Sequence, residues 1–109
     1  MRETRSVKMS DQSETVQIYD NPAASRYEAR IGDRLAIAEY MLTGPNITFT
    51  HTEVPEELEG QGIASQLARF ALEDARARGL AVIPLCPFIS AYIRRHREYQ
   101  PLVFGYPGT

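Results

Sequence analysis

Three side chains in this sequence could carry covalent or proton-transfer chemistry. His51 and Glu53 stand two residues apart in Ile47-Thr48-Phe49-Thr50-His51-Thr52-Glu53-Val54, whose alternation reads as a β-strand. In a regular strand Ile47, Phe49, His51 and Glu53 share one face, so that face ends in two groups able to accept a proton. Histidine, with an unperturbed pKa of roughly 6.5, needs less tuning than glutamate to work near neutral pH. The plainer reading makes His51 a half-buried strand residue bonded to a neighbour and Glu53 a charge at the edge of a loop. Cys86 closes an apolar run just before Pro87, where its thiolate could serve as a nucleophile. It could equally pack as a small apolar group. Close to these residues in sequence lies the turn Glu59-Gly60-Gln61-Gly62-Ile63-Ala64-Ser65. Glycines let backbone approach a ligand closely, and free amides at a helix start favour an anion of pyrophosphate size. The turn lacks the Gly-Lys-Ser/Thr ending of a P-loop, and Ser65 stands where a dinucleotide fingerprint has its third glycine.

The elements around these residues follow from periodicity and turn chemistry. Val16 to Tyr19, Tyr27 to Ile31 and Leu35 to Leu42 read as three strands of an antiparallel meander, separated by Asp20-Asn21-Pro22 and Gly32-Asp33 and closed by Gly44-Pro45-Asn46. The His51 strand follows and ends at Pro55. Ile63, Leu67, Phe70, Ala71 and Ala75 recur at helical spacing. Arg69 with Glu73 and Asp74 with Arg78 form i,i+4 pairs on that helix, and Gly79 suits the residue after its end. Leu80 to Cys86 is nearly all apolar, as in a parallel strand buried on both faces. Pro84 cannot donate to a ladder, so pairing should fail near it. A second helix runs from about Ile89 to Arg97. Met1 to Glu14 is polar and mixed in charge and reads as a flexible tail, leaving residues 15–109 as one domain. The fold class is α+β, a mixed sheet with an antiparallel start and a β-α-β-α end.

Length and composition narrow the function. With 109 residues, 43% hydrophobic and 24% charged, the chain can build one core but hardly two. Twelve Lys plus Arg against 14 Asp plus Glu give a net charge of -2, which supplies no drive toward nucleic acid or an anionic membrane. One cysteine and no Cys/His cluster at metal spacing leave no disulfide or zinc scaffold and no expected metal site. No apolar run is long enough for a membrane span, and the expected location is the cytoplasm.

Val54-Pro55, Gly60-Gln61-Gly62-Ile63-Ala64 and the helix after them resemble the acetyl-CoA-binding segment of the GNAT superfamily of N-acetyltransferases. More narrowly, His51-Thr52-Glu53-Val54-Pro55, Pro84-Leu85-Cys86-Pro87-Phe88 and Tyr92-Ile93-Arg94-Arg95-His96 resemble its small single-domain YjdJ-type branch, over residues 16 to 103. The resemblance implies a twisted mixed sheet with acetyl-CoA in a V-shaped gap between two splayed parallel strands, here Ile47 to Val54 and Ala81 to Cys86. It implies coenzyme contacts at Val54, Gly60, Gln61, Gly62, Ile63, Ala64 and Ser65, and acetyl transfer to an amine. His51 or Glu53 would take the amine's proton, and Cys86 would carry the acetyl group in a two-step variant. Tyr92 would protonate the departing CoA sulfur, with Tyr99 in reserve. Arg94, Arg95 and His96 would contact CoA phosphates or simply complement the helix dipole.

Two features depart from the superfamily pattern. Glu59 occupies a position where the superfamily has Gln or Arg, and the helices that usually follow the first strand have little room. The acceptor site is thus expected to be open to a small-molecule or peptide amine, on a monomer or weak homodimer. The competing readings are a non-catalytic acyl-CoA sensor and a protein-interaction domain.

Overall fold

The computed structural model describes residues 4–8 and 15–107. Its strands are β1 (Arg5–Lys8), β2 (Thr15–Asn21), β3 (Arg26–Ile31), β4 (Arg34–Thr43), β5 (Asn46–Glu53) and β6 (Ala81–Pro84), and its helices are α1 (Ile63–Ala77) and α2 (Pro87–Arg95). All six strands form one sheet in chain order. The pairs from β1 to β5 are antiparallel, and β5 and β6 run parallel across α1. This is the α+β mixed sheet that the periodicity predicts.

β1 corrects the expectation of a tail. It pairs with β2 from Arg5↔Ile18 to Lys8↔Thr15. An edge strand is held by backbone hydrogen bonds that need no apolar pattern, so a hydropathy argument is blind to it. Residues 1–3 and 9–14 of the expected tail lie outside the described residues.

The core lies between one face of the sheet and the two helices. Val16, Ile18, Ala29, Ile47, Phe49 and Val82 point from the strands into a single buried cluster with Leu67 and Ala71 of α1 and Ile89 of α2. At its centre the Tyr27 ring sits 5.1 Å from Tyr40, 6.2 Å from Phe49 and 6.1 Å from Phe70, centroid to centroid. The Tyr27 hydroxyl donates to Asp74 Oδ2 at 2.6 Å, and burial together with that bond keeps the phenol protonated far above its ordinary range. Asp74 also receives the expected i,i+4 contact from Arg78, at 3.3 Å. Glu73 pairs with Arg76 at 3.3 Å and accepts the Tyr99 hydroxyl at 2.7 Å, rather than meeting Arg69.

Both helices therefore occupy the same side. Among the described residues no helix covers the opposite face, which is why β6 is not buried on both faces as its apolar run suggests. Val82 is fully buried, whereas Ala81, Ile83 and Pro84 are half-buried.

Candidate active site

A β-bulge decides which residues reach the site. Tyr40 opposes Phe49 and the next pair is Glu39 with His51, so Thr50 has no residue opposite it. One inserted residue reverses the in-out alternation beyond it. Ile47 and Phe49 stay in the core, while His51 and Glu53 turn to the uncovered face, correcting the single face expected for all four. There His51 Nε2 lies 3.8 Å from Glu53 Oε1, with the two side chains 56% and 69% exposed. Thr52 takes the inward place that strict alternation gives to His51.

The parallel ladder stops where Pro84 implies. Its last pair is Phe49↔Pro84, after which the Cys86 amide donates to the Phe49 carbonyl at 2.9 Å and the chain turns into α2. Thr50 to Glu53 thus continue past the end of β6 with no strand partner on that side among the described residues. A cleft of about 400 Å³ opens at this point, lined by Thr52, Val54, Leu58, Glu59, Gly60, Gly62, Ile63, Ala64, Ser65 and Phe88. Six of the seven predicted coenzyme contacts line it. Gln61 does not: its side-chain amide donates to the Glu57 carbonyl at 3.3 Å and closes the loop instead.

Backbone supplies the anion-binding character of the cleft. Gly60 and Gly62 have φ of +84° and +78°, and a Cβ at either would meet nothing within 4 Å, so both leave space for a ligand. Gly62 caps α1 without a side-chain hydrogen bond, and the first helical bond runs from Gln66 N–H to Gly62 O at 3.1 Å. The amides of Ile63, Ala64 and Ser65 precede that bond and, with the helix dipole, favour a diphosphate. Phe88 brings the first turn of α2 to the same cleft. Glu59 is the one charged residue on this wall, so the anion-binding character rests on the backbone of the turn and not on a cationic side chain.

Cys86 and the tyrosines lie behind the cleft. Cys86 is 2% exposed, and its Sγ is 3.1 Å from Thr52 Oγ1. Thr52 is on the cleft wall and Cys86 is not. Tyr92 follows Phe88 by one helical turn, stacks on His96 at 3.9 Å and packs against Tyr99. Burial pushes the Tyr92 phenol up, and burial followed by the Glu73 hydrogen bond pushes Tyr99 up to about 12. His96 Nδ1 closes the end of α2 on the Tyr92 carbonyl at 2.8 Å, and Arg94 donates to Ser90 at 3.1 Å. The four candidate catalytic residues are not brought together: His51 and Glu53 occupy the open face, and Cys86 and Tyr92 the helix face. Sequence reasoning missed Thr52, Leu58 and Phe88 as wall residues. For Thr52 no local signal exists, because its orientation depends on the bulge.

Among the described residues there is no cluster of His, Cys, Asp and Glu able to hold a metal, and no helix long and apolar enough to cross a membrane. Residues 26–102 match a family described as GCN5-related N-acetyl-transferase. The matched span runs from β3 through α2 and contains every residue that lines the cleft, and the chain belongs to that acetyltransferase family.

Proposed function

We propose that the protein transfers acetyl from acetyl-CoA to the nitrogen of an amine. The observation that carries this reading is the cleft itself, where the amides of a glycine turn meet the end of β5 that extends beyond its last β6 pair. The pyrophosphate of the substrate lies on the amides of the Gly60 to Ser65 turn, and its pantetheine arm follows Thr50 to Glu53, whose side toward β6 has no strand partner. The thioester then reaches Thr52.

The amine enters from the uncovered face. Beyond Phe49 no strand among the described residues lies beside β5 on its β6 side, and in this reading the amine reaches the thioester past that edge. His51, with Glu53 3.8 Å away, stands on that face to take the proton the amine must lose. The nitrogen–carbon bond forms, the carbonyl becomes an oxyanion, and its collapse breaks the carbon–sulfur bond. An uncovered face of this kind suits small-molecule and peptide amines alike, and it fits the small YjdJ-type branch. A reducing cytoplasm suits the free Cys86 thiol.

Direct transfer accounts for the geometry better than an acetyl-Cys86 intermediate, because Thr52 rather than the sulfur faces the cleft. In the two-step route Cys86 sulfur would bond the acetyl carbon as CoA thiolate leaves, and the amine would then displace the sulfur. Intact mass after acetyl-CoA alone separates the routes: one added acetyl, absent in Cys86→Ala, establishes the intermediate. Glu59 favours a second reading, a weakly binding acyl-CoA sensor, because its carboxylate stands beside the anion site. Calorimetry with acetyl-CoA followed by acetylation assays on amines and peptides decides between them. Binding with turnover supports the transferase, binding without turnover the sensor, and no binding an interaction domain.

A further inference from the structure

Expelling CoA requires a proton for its sulfur, and the structure assigns that delivery to Thr52 backed by Cys86. The inference rests on the acetyltransferase reading above and concerns the other half of its chemistry. Thr52 is a hydroxyl on the cleft wall near the end of β5, beyond its last β6 pair, and its oxygen lies 3.1 Å from Cys86 Sγ, a contact in which either atom can donate. Cys86 is 2% exposed and is held in place by its own backbone bond to Phe49. The bulge at Thr50 is what turns the Thr52 hydroxyl inward. Tyr92, the alternative acid, is not on the cleft wall and is packed among Phe88, His96 and Tyr99.

As the carbon–sulfur bond breaks, the CoA sulfur takes the Thr52 hydroxyl proton, and the Thr52 oxygen takes the proton of Cys86 Sγ. Cys86 regains a proton from solvent. The ammonium form of the acceptor gives up two protons on the open face, so one proton is released for each acetyl transferred.

The test compares Thr52→Val, Thr52→Ser and Tyr92→Phe with the wild type, using acetyl-CoA and 4-nitrophenyl acetate as donors. The nitrophenolate leaving group needs no proton near neutral pH. With acetyl-CoA, Thr52→Val should lose about a hundredfold in kcat with little change in KM, the scale of one proton-transfer catalyst. Thr52→Ser should recover most of that loss, Tyr92→Phe should stay near wild type, and 4-nitrophenyl acetate should not distinguish Thr52→Val from the parent. Wild-type kcat in Thr52→Val with acetyl-CoA, or equal losses with both donors, overturns the relay. A wild-type protein that turns over neither donor overturns the transferase reading and the relay together. Turnover preserved in Thr52→Val overturns the relay alone. Cys86 is the one cysteine in the sequence, so the S–H infrared stretch reports it directly. That band should shift in Thr52→Val and not in Tyr92→Phe, and an unmoved band removes the contact on which the relay depends.

Discussion

Gly62→Ala separates backbone strain from ligand collision, because the structure supplies a matched control. Gly62 has φ of +78° and Gly44, in the turn before β5, has φ of +57°, and at both an added Cβ meets nothing within 4 Å. Alanine in this left-handed region costs roughly 1–2 kcal/mol. For a domain of this size each kcal/mol is worth about 4–8 °C in Tm, so Gly62→Ala and Gly44→Ala should lower the unliganded Tm comparably. They should part on adding acetyl-CoA. At about 100 times its Kd a ligand adds about 2.7 kcal/mol, which should raise the Tm of wild type and Gly44→Ala by roughly 10–20 °C. In Gly62→Ala the new methyl occupies the open space beside the amides of Ile63 to Ser65, where the pyrophosphate approaches. A hundredfold weaker complex leaves only about 0.4 kcal/mol of stabilisation at the same ligand concentration. Differential scanning fluorimetry measures the shifts and calorimetry the Kd. Equal acetyl-CoA shifts in the two variants would refute the placement of the pyrophosphate at this turn.

Phe49→Ala should destabilise by about 3–5 kcal/mol in urea unfolding, because the ring is fully buried against Tyr27 and leaves a cavity; a loss below about 1 kcal/mol would mean that the core relaxes to fill it. Tyr27→Phe should cost about 1–3 kcal/mol, since it removes the 2.6 Å bond to Asp74 and leaves that carboxylate with less support; no change in the urea midpoint would contradict a stabilising bond. Glu28 gives a pH dependence. Burial raises its carboxyl, but hydrogen bonds from Arg26, Tyr19 and Asn21 outweigh burial and hold it below the ordinary value of 4.5. A folded-state value depressed in this way contributes stability that is complete above the unfolded value and is lost as pH falls through the folded one. The stability difference between wild type and Glu28→Gln should therefore be steady near neutral pH and shrink below about pH 4.5; a difference that widens on acidification would reverse the sign of the argument.

Much of the scaffold was legible because its signals are local. The alternation of Ile47 and Phe49, the helical spacing of Ile63, Leu67, Phe70, Ala71 and Ala75, and the missing amide of Pro84 each act within a few residues. They located the meander, α1 and the point where the parallel ladder ends. The glycine turn was legible for the same reason, since positive φ at Gly60 and Gly62 is a property of the residue type. Tertiary structure decided the rest. β1 exists through backbone pairing with β2, and both helices lie on one face because their buried residues share one core. The facing of the candidate chemical groups turned on one unpaired residue, Thr50, whose bulge exists only in register against Glu39 and Tyr40 of β4. That register exposes His51 and Glu53 and brings Thr52 to Cys86, 34 residues away in sequence. Strand periodicity is set by neighbouring residues along the chain, whereas a bulge is set by the strand opposite, so no reading of β5 alone contains it.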